Sequence, residues 1–286
     1  MQTLGSLALA SCSPALLSAQ QPGDGLSKPV FRVSRANSLP RKEAPPLDQA
    51  LQMAREGLGH IRRNIDDFTA VIVKRERING TLGDYEYMFA KIRNRKVSDG
   101  QLQTPLGVYL VFLKPSSVKG REVIYVEGRN DNKLTAHEGG FKGRFLPTVS
   151  LQPTSGLAMR GQRYPLTDIG IENLIVKLIE RGETARQYPD IECSFRQNAK
   201  IKDRSCTVIE LTQPTKRPDL DFHKAQIFID DEHNIPLRYV AYDWPSHPGA
   251  PLEVIEEYTY LDVKLNVGLT AADFDAHNAA YNFYSD

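Results

Sequence analysis

The spacing of apolar residues changes period along the chain, and each change predicts an element. In LDQALQMAREGLGHIRRNI, Leu47, Leu51, Ala54, Leu58, Ile61 and Ile65 recur at alternating four- and three-residue steps, which puts them on one stripe of a helix. Pro45-Pro46 comes just before it and Asp66-Asp67 closes it. Gly57 and Gly59 lower its intrinsic propensity, so tertiary packing must hold it. The pattern then shortens to strand-like runs at 68–78, 85–93, 106–113, 122–127 and 133–137, separated by turn-rich segments such as Asn79-Gly80 and 128–132. Ile171, Leu174, Ile175, Leu178 and Ile179 restore the helical period, with Thr167-Asp168 as the expected N-cap and Gly182 as the expected stop. Further strands are predicted near 190–201, 206–213, 222–230, 235–242 and 252–265.

Consecutive strands with short turns predict antiparallel pairing and an α+β fold with few helices. In FTAVIV, YEYMFAKI, LGVYLVFL and EVIYVEG, apolar and aromatic residues occupy both alternating faces, so both faces of the sheet must be covered. Helices, a sheet folded on itself, a cavity lining or a plain packed core would each satisfy that demand.

Residues 1–21 carry no charged side chain, and Leu4, Leu7, Leu9, Leu16 and Leu17 make them apolar enough for an export signal, assigned here to 1–19. Two processing sites compete. Leu9-Ala10-Ser11-Cys12 has the form of a bacterial lipobox, with Cys12 as the lipidation candidate, whereas Leu17-Ser18-Ala19 offers a simple cut before Gln20. Residues 20–46, rich in Pro, Ser, Gly and basic residues, read as a flexible linker, and 47–286 as a single folded domain. The protein is thus expected to be exported, either periplasmic or anchored on the periplasmic side of a membrane. Membrane association is expected only if Cys12 is lipidated.

Charge narrows the partners and the motif search narrows the chemistry. With 36 Lys and Arg against 35 Asp and Glu among 286 residues, and no basic run, nucleic acid is not expected as a partner. The histidines at 60, 137, 223, 233, 247 and 277 form no metal-ligand spacing, and Asp230-Asp231-Glu232 reads as a solvated turn rather than a calcium loop. No nucleophile elbow, P-loop or dinucleotide fingerprint occurs. Glu253, Glu256 and Glu257 read as surface charges on a strand. The expectation is a non-catalytic protein without cofactor or metal. Cys193 and Cys206 read as two separate buried thiols, because a hairpin around 202–205 places Cys206 near Ile201 and Cys193 far along the strand.

The strings TPLGVYLVFLKPSSVKGREVIYVEGRNDNKLTAH at 104–137, AQIFIDDEHNIPLRYVAYDW at 225–244 and LEVIEEYTYLDVKLNVGLTAADFD at 252–275 resemble a bacterial domain family of unknown function. That family is in turn similar to the outer-membrane lipoprotein carrier LolA and its receptor LolB, through the Asp230–Pro236 turn, the strands at 237–242 and 254–266, and Asp273-Phe274. The resemblance implies a strongly curved antiparallel sheet, an incomplete, LolA-like β-barrel capped by a few helices. Its apolar inner face would hold a lipid or a lipoprotein acyl chain. The lining it suggests is Val71, Val73, Tyr87, Phe89, Tyr109, Val111, Tyr125, Ile227, Ile229, Tyr239 and Tyr258. Lys74, Arg75, Arg77 and Arg93 are all compatible with the cation that contacts a carrier's lid. The alternative is an envelope sensor or scaffold that binds a protein partner through the same fold, with 139–165 and its Arg144, Arg160 and Arg163 as the contact surface; a hydrolase is the third reading.

Overall fold

The structure is a computed structural model and describes residues 31–32, 45–143 and 145–284. The expected signal, Cys12 and almost all of the linker lie outside the described residues. In chain order the elements are β1 (Phe31–Arg32), α1 (Pro46–Asn64), β2 (Asp67–Ile78), β3 (Thr81–Leu82), β4 (Glu86–Arg93), β5 (Lys96–Ser98), β6 (Gln101–Thr104), β7 (Gly107–Lys114) and β8 (Glu122–Val126). They continue as β9 (Leu134–His137), α2 (Gly140–Gly143), β10 (Val149–Leu151), α3 (Ile171–Ala185), β11 (Glu192–Ile201), β12 (Arg204–Thr212), β13 (Lys224–Asp230), β14 (Pro236–Tyr242) and β15 (Val254–Leu265).

One antiparallel sheet runs in the order β1-β11-β12-β13-β14-β15-β2-β4-β7-β8-β9-β10, with β3 attached to β2, while β5 and β6 form a separate hairpin. Among the described residues the edge strands β1 and β10 do not pair, so the sheet does not close into a barrel. Strands as distant in this order as β14 and β10 nevertheless line one cavity, which requires strong curvature. The expected α+β fold, a curved open antiparallel sheet with a few helices, is the observed one.

Strand order dictates what covers the concave face. The chain builds outward from β2 to the edge at β10, then resumes at β11 beside the opposite edge and returns strand by strand until β15 pairs with β2. Residues 152–170 and α3 therefore have to cross the open side of the sheet. Helix α1 packs against α3, and Leu51 on α1 lies so close that a Cβ on Gly182 would stand 2.7 Å from its Cδ2. This approach explains why α3 runs on through Gly182 to Ala185 rather than stopping before it. The expected Thr167-Asp168 cap is likewise replaced: Leu166–Asp168 form a separate 3-10 turn, and Gly170, at φ 111°, is the N-cap.

The convex face is covered in part by the C-terminal segment. Phe274 seats against Gly107, Phe283 is buried, and the Tyr281 ring stacks on Tyr109 at 4.1 Å. Lys91 Nζ fastens this segment by donating to Asp273 at 2.7 Å and to the Tyr281 hydroxyl at 2.9 Å. Asp67 does not cap α1. It is the buried first residue of β2, and its carboxylate accepts the backbone N–H groups of Val267, Gly268 and Leu269. Cys193 and Cys206 are free thiols; Cys193 pairs across the hairpin with Leu211, and Cys206 with Ala199. Cys206 is buried as expected and Cys193 half-buried, and burial pushes both thiols up to about 12, which leaves them inert.

Candidate functional site

Register decides which side chains face the helices. Ile72 pairs with Met88 and with Tyr260, Met88 with Phe112, and Leu110 with Val123. These positions share the concave face, and alternation carries Leu134, Ala136, Val149 and Leu151 to the same side. Residues 153–170 and α3 pass over them without filling the space, leaving a cavity of about 360 Å³. Its floor is Ile72, Met88, Leu110, Phe112, Val123 and Tyr260, and its roof includes Leu157, Ala158, Leu166, Ile169 and Leu174.

The same alternation puts charge at one end of this apolar trough. Two residues beyond Ile72 comes Lys74, and two further Glu76; opposite them stand Glu86, Tyr258 and Glu256. Lys74 Nζ lies 3.3 Å from Glu76 and 3.2 Å from Glu86, and it also donates to the Gln162 side chain of the crossing segment. Glu76 accepts the Tyr258 hydroxyl and, at 3.1 Å, the backbone N–H of Arg163. Glu256 receives Arg163 Nε at 3.0 Å and Arg181 Nη1 at 3.1 Å, and Arg181 also donates to the hydroxyls of Tyr239 and Tyr164 at 2.8 and 2.7 Å. Glu76 and Glu256 are almost fully buried, which is tolerable only because each charge has directed partners.

Burial, then the neighbouring carboxylates, raise the pKa of Tyr164, Tyr239 and Tyr258, so these hydroxyls stay protonated donors at any physiological pH. Arg181 is raised as well: burial opposes its charge, but Tyr239 and Glu256 outweigh that effect. The arrangement is a mostly apolar chamber with a hydrogen-bonding, internally charge-compensated end.

Of the lining residues expected from the sequence, Tyr239 and Tyr258 are in this cavity. Ile227 and Ile229 line a smaller apolar void between α1, α3 and β11–β13, and Tyr125 borders a separate cleft of mixed lining near the start of α3. Register sets Val71, Val73, Tyr87, Phe89, Tyr109 and Val111 on the opposite face of the sheet. Of the candidate cations, Lys74 reaches the crossing segment, whereas Arg75 lies over the Tyr85 ring, Arg77 binds Gly80 and Val254 carbonyls, and Arg93 covers Phe274. Glu256 and Glu257 are not surface charges: Glu257 is buried on the opposite face against Arg238 at 2.9 Å, and only Glu253 is exposed. Arg163 turns inward rather than toward a partner, while Arg160 stays exposed at the cavity rim. Arg144 lies outside the described residues.

Asp230, Glu232 and His233 come close enough to suggest a metal site. The Asp230 carboxylate is already committed: it accepts Arg204 Nη1 at 2.8 Å and the backbone N–H groups of Glu232 and His233, while the Glu232 carboxylate is exposed. The turn reads as a structural cap on the hairpin.

Residues 65–283 match the family described as "Protein of unknown function (DUF1571)". The chain belongs to the DUF1571 family. The match begins after α1, so that helix lies outside the shared region. No curated protein matches the sequence. Solved structures are similar at low identity, and three of them illustrate the range. A putative outer membrane lipoprotein-sorting protein domain from Vibrio parahaemolyticus is 14% identical, covering 80% of this chain and 97% of its own, with a TM-score of 0.37. The Pseudomonas aeruginosa MucA/MucB complex structure gives 12% identity over 80% of this chain and 61% of the other, with a TM-score of 0.44. A LolA superfamily protein from Nitrosomonas europaea gives 15% identity over 81% and 98%, with a TM-score of 0.31.

Proposed function

We propose that this protein is a non-catalytic envelope protein that holds a lipid or a lipoprotein acyl chain in the chamber beneath residues 153–170. The observation that carries this reading is an apolar floor of Ile72, Met88, Leu110, Phe112 and Val123 left facing open volume, beneath a covering segment held off by polar contacts. A chamber of about 360 Å³ falls within the range of small-molecule sites, roughly 300–1,000 Å³. Each methylene buried there contributes about 0.8 kcal/mol, so ten or so give about 8 kcal/mol before ordering costs. An acyl chain suits the lining, and the polar end offers Tyr258, Tyr239 and Gln162 to an ester or hydroxyl group. Among the described residues no helix is long and apolar enough to cross a membrane. Export, and the choice between a diffusing and an anchored form, rest on the signal and Cys12.

The test is native mass spectrometry of the full chain purified without detergent, joined to uptake of a fluorescent fatty acid. Bound lipid and saturable uptake are expected, with uptake weakened about tenfold or more by L110W, which fills the floor. A wild-type chain that carries no lipid and takes up no probe refutes the reading.

A further inference from the structure

The cavity rim carries a surface that the binding reading does not use. Phe141 and Phe145 are 74% and 73% exposed, and their rings meet edge to face at 5.3 Å. Leu146, Val149 and Leu157 are also exposed, so five large apolar side chains reach solvent within residues 141–157. Isolated exposed apolar residues are ordinary on a soluble protein; a cluster of this kind, led by two rings, marks an interaction site.

The two phenylalanines stand on a braced platform. A Cβ on Gly139 would lie 2.0 Å from the Gly120 carbonyl carbon and 2.4 Å from the Lys119 carbonyl oxygen, so α2 begins flush against the β7–β8 connection. Arg121 pairs with Glu138 at 2.9 Å beside the same contact. The patch also joins the chamber, since Val149 and Leu157 both line the cavity.

Charge identifies the occupant. Residues 139–167 contain no Asp or Glu, and in the sequence Lys142 and Arg144 stand between the two phenylalanines. Lys119 and Arg160 add exposed cations at the platform and the rim. Exposed aromatic rings in a stretch of sequence that carries cations and no carboxylate suit the headgroup boundary of an anionic bilayer, where rings enter the acyl region and cations meet phosphates. We infer that Phe141 and Phe145 form a docking surface for an anionic phospholipid bilayer, bringing the cavity rim against the membrane. This inference does not depend on what the chamber holds.

Trp244 is the single tryptophan of the chain, which makes depth measurable. Full-length F141W and F145W are mixed with phosphatidylglycerol–phosphatidylcholine vesicles whose acyl chains carry bromine, and their fluorescence is compared with that of the wild-type chain. Insertion to about 5–10 Å should cut the added indole signal by roughly half, while Trp244 in the wild type is unchanged. The effect should shrink on pure phosphatidylcholine vesicles. Two variants guard against one misfolding, and both positions are open to solvent. No extra quenching in either variant overturns the inference, and equal quenching on both vesicle types overturns its anionic part. Self-association without vesicles, abolished by the double substitution F141S/F145S and accompanied by no quenching, overturns it in favour of a second copy. Fatty-acid uptake measured on the same chains separates the two readings: uptake without quenching sinks only the docking surface, and quenching without uptake sinks only the chamber.

Discussion

Replacing Glu256 by Gln tests the charged end of the chamber with little change of shape. The carboxylate is 2% exposed and holds two guanidiniums, Arg163 Nε at 3.0 Å and Arg181 Nη1 at 3.1 Å. The amide keeps one acceptor, loses the charge, and has to turn its NH₂ toward one of the arginines. Removing one partner from a buried pair costs about 3–5 kcal/mol. Here the lower end applies, because Arg163 is 30% exposed and Arg181 keeps Tyr239, Tyr164 and Asp221. The expected loss is about 3 kcal/mol, equivalent at about 2–4 °C per kcal/mol to a Tm drop of about 6–12 °C. Urea unfolding followed by circular dichroism should show a lower midpoint with an unchanged slope. E253Q removes an ion pair whose carboxylate is 67% exposed, and serves as the control. It should cost no more than about 0.5 kcal/mol. If E256Q loses less than about 1 kcal/mol, or no more than E253Q, the buried network is not the constraint described.

Two neighbouring glycines in α1 should respond with opposite signs. A Cβ on Gly57 would lie 2.7 Å from the Asn234 backbone carbonyl, so G57A should destabilise by about 1–3 kcal/mol despite alanine's better propensity. On Gly59 it meets only the mobile Arg63 guanidinium at 3.1 Å, so G59A should stabilise by up to about 1 kcal/mol; thermal melts that show the same sign for both refute the packing of α1 on the β13–β14 turn. Acid should also unfold the protein through Asp230 and Asp273. Burial alone would raise both carboxyls, but Arg204 and His233 in one case, and Lys91 and Thr270 in the other, outweigh it and lower them. A depressed folded pKa contributes stability above the unfolded value of about 3.9, and loses it as pH falls through the folded value. Unfolding free energy should therefore be level near neutrality and fall below about pH 4, with D230N and D273N flattening the curve. A profile that stays flat to pH 3 refutes this.

The elements were legible because their periods are long and clean. Helix α1 and every strand of five residues or more lie within the expected ranges, give or take end residues, whereas α3 runs past its expected stop and the short α2 has no period to announce it. The chamber was harder to read for a physical reason. In FTAVIV both Val71-Val73 and Ala70-Ile72 are apolar, so alternation alone leaves open which set faces the helices, and pairing to Met88 and Tyr260 resolves it. The polar end did leave a trace: Ile72-Lys74-Glu76, Met88-Glu86 and Tyr260-Tyr258-Glu256 each run from apolar to charged along one face. Without the register, charges near strand ends read as solvated. Gln162, Arg163 and Tyr164 lie in a segment with no period, and their roles come only from the chain's need to cross from β10 to β11.

That crossing also explains why charge sits where an apolar core would be more stable. A segment obliged to span an open sheet would gain most by collapsing onto Met88 and Leu110 and burying them. Gln162 and Arg163 instead end on Lys74, Glu76 and Glu256, and Arg181 ties α3 to the same carboxylate, so directed bonds fix the height of the roof above the floor. Buried ion pairs often lose to well-packed hydrophobic replacements by about 1–4 kcal/mol. Exchanging Lys74, Glu76, Glu256, Arg163 and Arg181 together for apolar residues of similar size should therefore leave the protein as stable or raise its urea midpoint. The freed roof should settle onto the floor and weaken fatty-acid uptake about tenfold or more. Uptake that survives at full strength in a stable variant would mean that the sheet's curvature keeps the chamber open, with the polar end playing no part in it.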